Sequence, residues 1–352
     1  MKSYKYKLTP LTPIHIGNGD SLEPYEYIIK NNYLYKFDVS VLYNNVSDVN
    51  KGLLKDSMLK NAVQLRQRVN KFYKEDYGYT AKIPTSIEIQ NLYTKNLDKI
   101  GNQLLIQQFI CSMDKEYIAG STIKGAIRSA IVHSEGAKRK DIDYEIAKKP
   151  RIILVNGREM ADIDKKYFNY GTVQEDPFKT VKVSDTVGEL SLGVGQVNVH
   201  TVKDGTFNKG VPMYLVCALG KLQDENVNSV SGTLTLSDEM LSKISSKYKK
   251  LTLQDIIKAS WDKADAVIKA EKAFYMKANF LVGQDLYERL DQYFDKVDKT
   301  KCMPIRMGRG CGMDSTTLNL VNKNRTPKTD PKSRMLFENK FPMGWGVIEF
   351  VE

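Results

Sequence analysis

The sequence predicts an α+β protein. Three observations carry this. Alternating, Tyr/Thr/Val-rich stretches occur at both ends and in the middle of the chain. Single amphipathic helical stretches lie between them. The order strand, helix, strands, helices, strand occurs once in each half, which predicts two β-α-β-β-type modules over 1–220 and 221–352, without an internal sequence repeat.

The elements follow in order. Residues 4–16 alternate and contain two prolines, which suits an edge strand running into the turn Gly17-Asn18-Gly19-Asp20. Residues 25–29 and 33–39 read as a hairpin about Lys30-Asn31-Asn32. Residues 53–73 carry an apolar stripe through Leu54, Met58, Ala62, Leu65, Val69 and Phe72, so the spacing predicts one helix. The block 50–115 reads as an all-helical insertion. A strand end, turn and helix start follow at Tyr117–Ala130, with Ile123, Ile127, Ile131, Ala126 and Ala130 on the core stripe. Beyond the basic loop Lys138-Arg139-Lys140, residues to 170 give no clear pattern. Strands are predicted at 179–187, 194–202, 211–219 and 230–236, and a helical insertion at 238–298. Residues 304–320 begin Gly-rich and end strand-like. Residues 323–334 have the composition of a disordered basic loop, and 345–351 close the chain as a strand.

Composition narrows the function. Of 352 residues, 53 are Lys or Arg and 42 Asp or Glu, a net charge of +11 that favours an acidic partner such as nucleic acid. Residues 301–340 hold nine basic and three acidic residues, a net of +6 and more than half of that excess. The four cysteines form no CxxC pair and have no histidine at ligand spacing, so they read as reduced thiols of a cytoplasmic protein, with no metal or other cofactor expected. No secretory leader and no run of 18 apolar residues is present, so no membrane association is expected.

Two stretches have unusual chemistry. In YIAGSTIKGAIRSA, Gly120 suits a turn and Ser121 or Thr122 an N-cap. Lys124 and Arg128 stand four apart beside Gly125, a like-charge pair at the wrong end of a helix dipole. An anion on the helix N-terminus, approached closely at Gly125, would account for these features. The alternative is a solvated helix start with Gly125 used for tight packing. In IRMGRGCG, Gly308, Gly310 and Gly312 alternate, with Arg306 and Arg309 interleaved. The pattern is neither GxxxxGK[ST] nor GxGxxG, and bare backbone beside arginines suits a phosphodiester chain. The alternative is a bulge with solvated arginines. His15 stands beside Gly17 and Gly19. As a general base for RNA cleavage it needs a Lys or Tyr partner; otherwise it packs or binds RNA without chemistry. Asp185 and Asp238 are isolated and read as turn or capping residues. Some of the twenty tyrosines suit base stacking, most the core.

Four segments together, LTPIHIGNG, IAGSTIKGAIRSAI, IRMGRGCG and FPMGWGVIEF, resemble the signature blocks of the RAMP superfamily of CRISPR-associated RNA-binding proteins. At this length the set is most similar to the fifth-subunit family of Csm-type (type III-A) effector complexes. The central block departs from the usual Pro-Gly-Ser-Ser in reading Ala119-Gly120-Ser121-Thr122, which keeps the glycine and the hydroxyl. The Gly-Gly-Ile-Asp type segment of the target-cutting backbone subunit is absent. The resemblance implies an RRM- or ferredoxin-like fold and a non-catalytic subunit. That subunit caps the complex at the 3′ end of the guide RNA and serves guide maturation, with the backbone and small Csm-type subunits and host nucleases as partners. It places His15, Gly17, Gly19, Gly120, Ser121, Lys124, Gly125, Arg128, Arg306, Gly308, Arg309 and Gly310 along the RNA. The enzymatic alternative within the superfamily is a metal-independent endonuclease of CRISPR repeat RNA with His15 as base.

Overall fold

A computed structural model describes residues 1–100, 104–139, 142–143, 147–148, 163–203, 206–238 and 251–351. The chain opens with strands β1 (Lys2–Pro10), β2 (Gly17–Leu22), β3 (Tyr27–Lys30) and β4 (Tyr33–Lys36), then helices α1 (Val39–Asn45), α2 (Asp48–Lys60) and α3 (Ala62–Phe72). Next come β5 (Ala81–Pro84), α4 (Ile87–Asn96), β6 (Ile106–Phe109), the short pair β7 (Cys111–Ser112) and β8 (Lys115–Glu116), α5 (Gly120–Arg139) and α6 (Ile163–Phe168). After these lie β9 (Val181–Val183), the long hairpin β10 (Leu192–Lys203) and β11 (Thr206–Ala218), and β12 (Val230–Leu236). The chain ends with α7 (Leu253–Lys277), α8 (Leu281–Phe294), β13 (Cys302–Arg306), α9 (Met313–Thr316), β14 (Ser333–Phe337), β15 (Phe341–Pro342) and β16 (Trp345–Val351).

The α+β class holds. One sheet has the order β13-β16-β1-β12-β9, with β1 antiparallel to both β12 and β16. Its chain order, β1-α5-β9-β12-α7 and then β13 and β16, is a β-α-β-β-α-β path with one added edge strand. The expected division at 220 does not coincide with a sheet boundary, because β1 lies between strands from the other end of the chain. A second sheet, β15-β14-β10-β11-β6-β2, a third, β3-β4-β5, and the two-stranded pair β7-β8 hold the other strands of the described residues.

Several expectations change with their surroundings. The first strand is central rather than an edge: Pro10 ends it and Pro13 lies beyond it, so neither removes an interior ladder donor. The hairpin turns at Asn31 and Asn32, both at positive φ, the backbone a two-residue turn demands. The helix expected over 53–73 is two helices, because Asn61 is extended and its side chain caps α3 by accepting from Val63 N at 2.7 Å. The 50–115 block also holds β5 and β6 and so is not all-helical. Of the 238–298 segment, residues 239–250 lie outside the described set; α7 is a core helix packed on α5, not an insertion. Residues 313–316 are helical rather than strand-like. Lys138 and Arg139 end α5 rather than forming a loop, and Lys140 is outside the described residues. Loop 323–334 is tied down by Arg325, which pairs with Asp330 at 2.8 Å and Asp314 at 3.5 Å.

The core runs between the first sheet and helices α5 and α7, and takes in Ile123, Ile127, Ala130 and Ile131 as their spacing required. Among the described residues no helix is long and apolar enough to cross a membrane. The four cysteines are free thiols.

Candidate nucleic-acid interface

Three of the four signature blocks meet at one junction, and the fourth, at the start of α5, reaches the cleft beside it through Thr122. Leu11 N and Thr12 N donate to Trp345 O at 2.8 and 3.1 Å, and Gly344 N donates to Pro13 O at 2.9 Å. Met307 N donates to Gly344 O at 2.9 Å, and Arg309 N to His15 O at 2.8 Å. Gly308 has φ +80°, and a Cβ there would stand 2.5 Å from His15 O, so only glycine lets the two segments close on each other. The alternating glycines of IRMGRGCG are thus, first, a means of joining the ends of the chain.

This junction leaves a cleft of about 550 Å³. Its walls are His15, Gly17, Gly19 and Asp20, Gln107 and Gln108 from β6, Thr122 from the start of α5, and Gly308 and Arg309. His15 is buried, and its Nδ1 donates to Val216 O at 2.7 Å. A carbonyl only accepts, so Nδ1 carries the proton and Nε2 is left as an acceptor. Burial lowers the His15 pKa, the Val216 bond opposes this and Arg309 adds to it, so the ring is neutral at pH 7. A Cβ at Gly17 would lie 3.0 Å from Nε2; glycine keeps that nitrogen uncovered. Arg309 is exposed and donates to Gln107 Oε1 at 2.5 Å and to Met213 Sδ at 3.2 Å. Gln108 accepts from Lys36 Nζ at 3.0 Å. The cleft thus offers a cation, amides, hydroxyls and bare backbone, a donor and acceptor set suited to a sugar–phosphate chain.

The start of α5 borders the same cleft, but its polar residues divide. Gly120 N donates to Asp185 Oδ1 at 2.7 Å, so an internal carboxylate, not Ser121 or Thr122, caps the helix and occupies part of the expected anion position. A Cβ on Gly120 would strike Val183 O at 2.3 Å, so that glycine serves packing against β9. Gly125, by contrast, has nothing within 4 Å of where its Cβ would be, which removes tight packing as its reason. Ser121 and Gly125 are exposed and Lys124 is half-buried beside them. Burial lowers the Lys124 pKa, Asp176 opposes this and Arg128 reinforces it; Lys124 forms no ion pair with a described residue.

Two arginines expected along the RNA are engaged internally. Arg128 binds Asp164 Oδ2 at 2.5 Å, Asp176 Oδ2 at 2.7 Å and the Tyr170 hydroxyl at 2.9 Å, and lies 4.5 Å above the Phe178 ring. Its fork is filled, so the repulsion from Lys124 is offset by two carboxylates rather than by an external anion. Arg306 is buried, 3.5 Å from Glu271 and 5.2 Å above the Trp345 ring, and faces away from solvent. Gly310 is at φ +81°, 3.0 Å from Met343 Sδ by its missing Cβ, and belongs to the junction. Sequence reasoning missed Gln107, Gln108 and Asp20. Two adjacent glutamines inside the apolar run LLIQQFI were the available signal. Among the described residues, no group of three His, Cys, Asp or Glu side chains is placed to hold a metal ion.

Comparison with known proteins agrees with this architecture. The RAMP superfamily model matches residues 7–301. A curated relative, the CRISPR system Cms protein Csm5 of Streptococcus thermophilus, is 26% identical over 145 residues, 38% of this chain and 39% of that protein. The Csm5 of Methanocaldococcus jannaschii is 22% identical over 306 residues, 77% of this chain and 69% of that protein. In fold, the chain resembles one in a cryo-EM structure of a Csm–crRNA–target RNA ternary complex of a type III-A CRISPR–Cas system. The TM-score is 0.70 at 20% identity, over 99% of this chain and 100% of the other. The family match spans most of the chain and the fold match nearly all of it: the chain belongs to the RAMP superfamily, and within it is similar to Csm5.

Proposed function

We propose that the chain is a non-catalytic, guide-RNA-binding subunit of a type III-A CRISPR effector complex. In this reading it caps the complex at the 3′ end of the guide, serves guide maturation in the cytoplasm, contacts backbone and small Csm-type subunits, and presents the guide end to host nucleases. One observation carries the reading. Three signature blocks distant in sequence, those holding His15, Thr122 and Arg309, converge on a single cleft lined by bare backbone, two glutamines and an exposed arginine, with Lys124 and the open Gly125 face beside it. The likeness in fold to a chain of a Csm–crRNA–target RNA complex supports the choice of RNA. The contacts are of the backbone-positioning kind, which fixes register without reading sequence.

The endonuclease alternative has one point in its favour: His15 lines the cleft as a neutral imidazole with a free acceptor nitrogen. No Lys or Tyr side chain joins it in the lining, and Asp20 and Arg309 are the other titratable groups there. Binding of labelled single-stranded guide RNA by the full chain, measured in EDTA across a salt series with the RNA resolved afterwards, tests both readings. Uncut RNA is expected, with a log–log slope that becomes shallower by ~0.7 on Arg309→Ala and again on Lys124→Ala. The exposed Lys55→Ala on α2 is expected to leave the slope unchanged. Specific cleavage lost in His15→Ala would transfer the conclusion to the enzyme; equal losses in all three charge variants would leave the cleft no special role.

A further inference from the structure

A second cleft, of about 520 Å³, lies between the C-terminal half of α7 and the loop leading into β14. Its floor is one stripe of α7. Ala270, Ala273, Phe274 and Lys277 stand at i, i+3, i+4 and i+7, the spacing of a single helix face. The core stripe of the same helix runs through Val267, Ile268, Glu271 and Tyr275, all buried. The helix thus carries a second, half-exposed apolar face, with two alanines that give depth and a phenylalanine for a wall.

The charge beneath that floor is unbalanced. Glu271 is shared by Arg306 at 3.5 Å and Arg334 at 2.8 Å, and all three side chains are almost fully buried. One carboxylate against two guanidiniums leaves one positive charge in excess within this trio. Burial alone would raise the Glu271 pKa, yet the two arginines hold it below the ordinary carboxylate value. Arg334 lies 3.9 Å above the Phe274 ring and lines the cleft itself. At the mouth, Lys277 and Lys332 are exposed and form no ion pair with a described residue. Arg325, also in the lining, pairs with both Asp314 and Asp330; one guanidinium against two carboxylates leaves one negative charge there, and Asp330 itself lines the cleft. A floor for a planar ring, an aromatic wall backed by a guanidinium and two free ammonium groups at the rim match a nucleobase with its phosphate.

We propose that this cleft is a second RNA contact that holds one nucleotide of a single strand, its base over Ala273 and Phe274 and its phosphate between Lys277 and Lys332. The inference rests on the RNA-binding reading and extends it to a different part of the surface. The hairpin links the two clefts. Arg309 of the first touches Met213 on β11, and Thr201 of the second pairs with Asn208 on the same strand. The five residue steps from Asn208 to Met213 correspond to about 17 Å. That is the length of about five stacked nucleotides.

Photo-crosslinking of the full chain to oligouridylate carrying 4-thiouridine, with peptide mapping, tests the proposal. Crosslinks are expected on the peptide containing Phe274 and on 325–332, in addition to those at the first cleft. Lys277→Ala with Lys332→Ala is expected to remove these crosslinks and weaken binding about tenfold, and Ala273→Trp to remove them by filling the floor, both with unchanged melting. Uridine 5′-monophosphate is expected to compete at this cleft well below the concentration of inorganic phosphate required. Equal competition by the two would reduce the site to a phosphate site and overturn the nucleotide assignment. Crosslinks confined to the first cleft would overturn this inference and leave the proposed function standing; no RNA binding at all would overturn both.

Discussion

Lys124 and Arg128 look equivalent in sequence, one helical turn apart, and have opposite roles in the fold. Arg128 joins α5 to Asp164 and Asp176, and the Asp164 side chain is 2% exposed. Removing the guanidinium takes a charge-assisted partner from both carboxylates, one of them buried. Arg128→Ala should therefore destabilise the protein by about 3 kcal/mol, read in denaturant melts. The RNA-binding slope should not change once folding is restored at low temperature. Lys124→Ala should do the reverse, with an unchanged melt and weaker, less salt-sensitive binding. A stable Arg128→Ala with a shallower slope would return Arg128 to the interface. The pair also shows where sequence reading stops. Spacing puts both residues on one side of the helix, but the acids that capture Arg128 lie 36 and 48 positions away and are set by tertiary packing.

At the scale of elements, α5 and α7 meet through apolar stripes that periodicity revealed, but with a polar inclusion it did not. His133 on α5 is buried with no hydrogen bond to either ring nitrogen, and Lys263 on α7 is buried against Ser129. Burial, and then the nearby Lys263, push the His133 pKa down to about 4. The folded state therefore binds fewer protons than the unfolded chain between pH 6.5 and pH 4. The stability contributed by neutral His133 is complete above pH 6.5 and is lost as pH falls to about 4. At about 1.4 kcal/mol per pH unit, the loss amounts to roughly 3 kcal/mol. Burial also pushes Lys263 down to about 7, so stability should continue to rise between pH 7 and 10.5. Melts of wild type, His133→Leu and Lys263→Met across pH should show each variant flattening its own window. A wild-type curve level from pH 4 to 10 would rule out the assignment.

For the whole molecule, the α+β class, the hairpin at Asn31-Asn32 and the closing strand 345–351 were legible because each rests on local pattern or turn chemistry. The partition at 220 was not, because strand pairing between the two ends of a chain leaves no periodic trace. The cleft was legible only as four motifs. Their glycines and arginines marked the geometry of a junction as much as contact with a ligand, and Arg306 is the clearest case. Separate expression of 1–220 and 221–352 should give two fragments that do not fold alone, since β1 lacks β12 and β16 in one and the sheet lacks its centre in the other. Co-expression should restore a complex. Circular dichroism and limited proteolysis check this, and a cooperatively melting 1–220 fragment would show that the first half is an autonomous domain.

The pairing of Lys5 with Val351 has a consequence in time. During synthesis the first strand leaves the ribosome long before the strand that will lie beside it exists, and its open edge must wait more than 300 residues for β16. Such distant pairing makes folding slow. It also leaves an unpaired hydrophobic strand exposed to association with other nascent chains. A truncation that removes only β16 should therefore appear as insoluble product, and the junction, with everything that depends on it, forms only after residues 345–351 have left the ribosome.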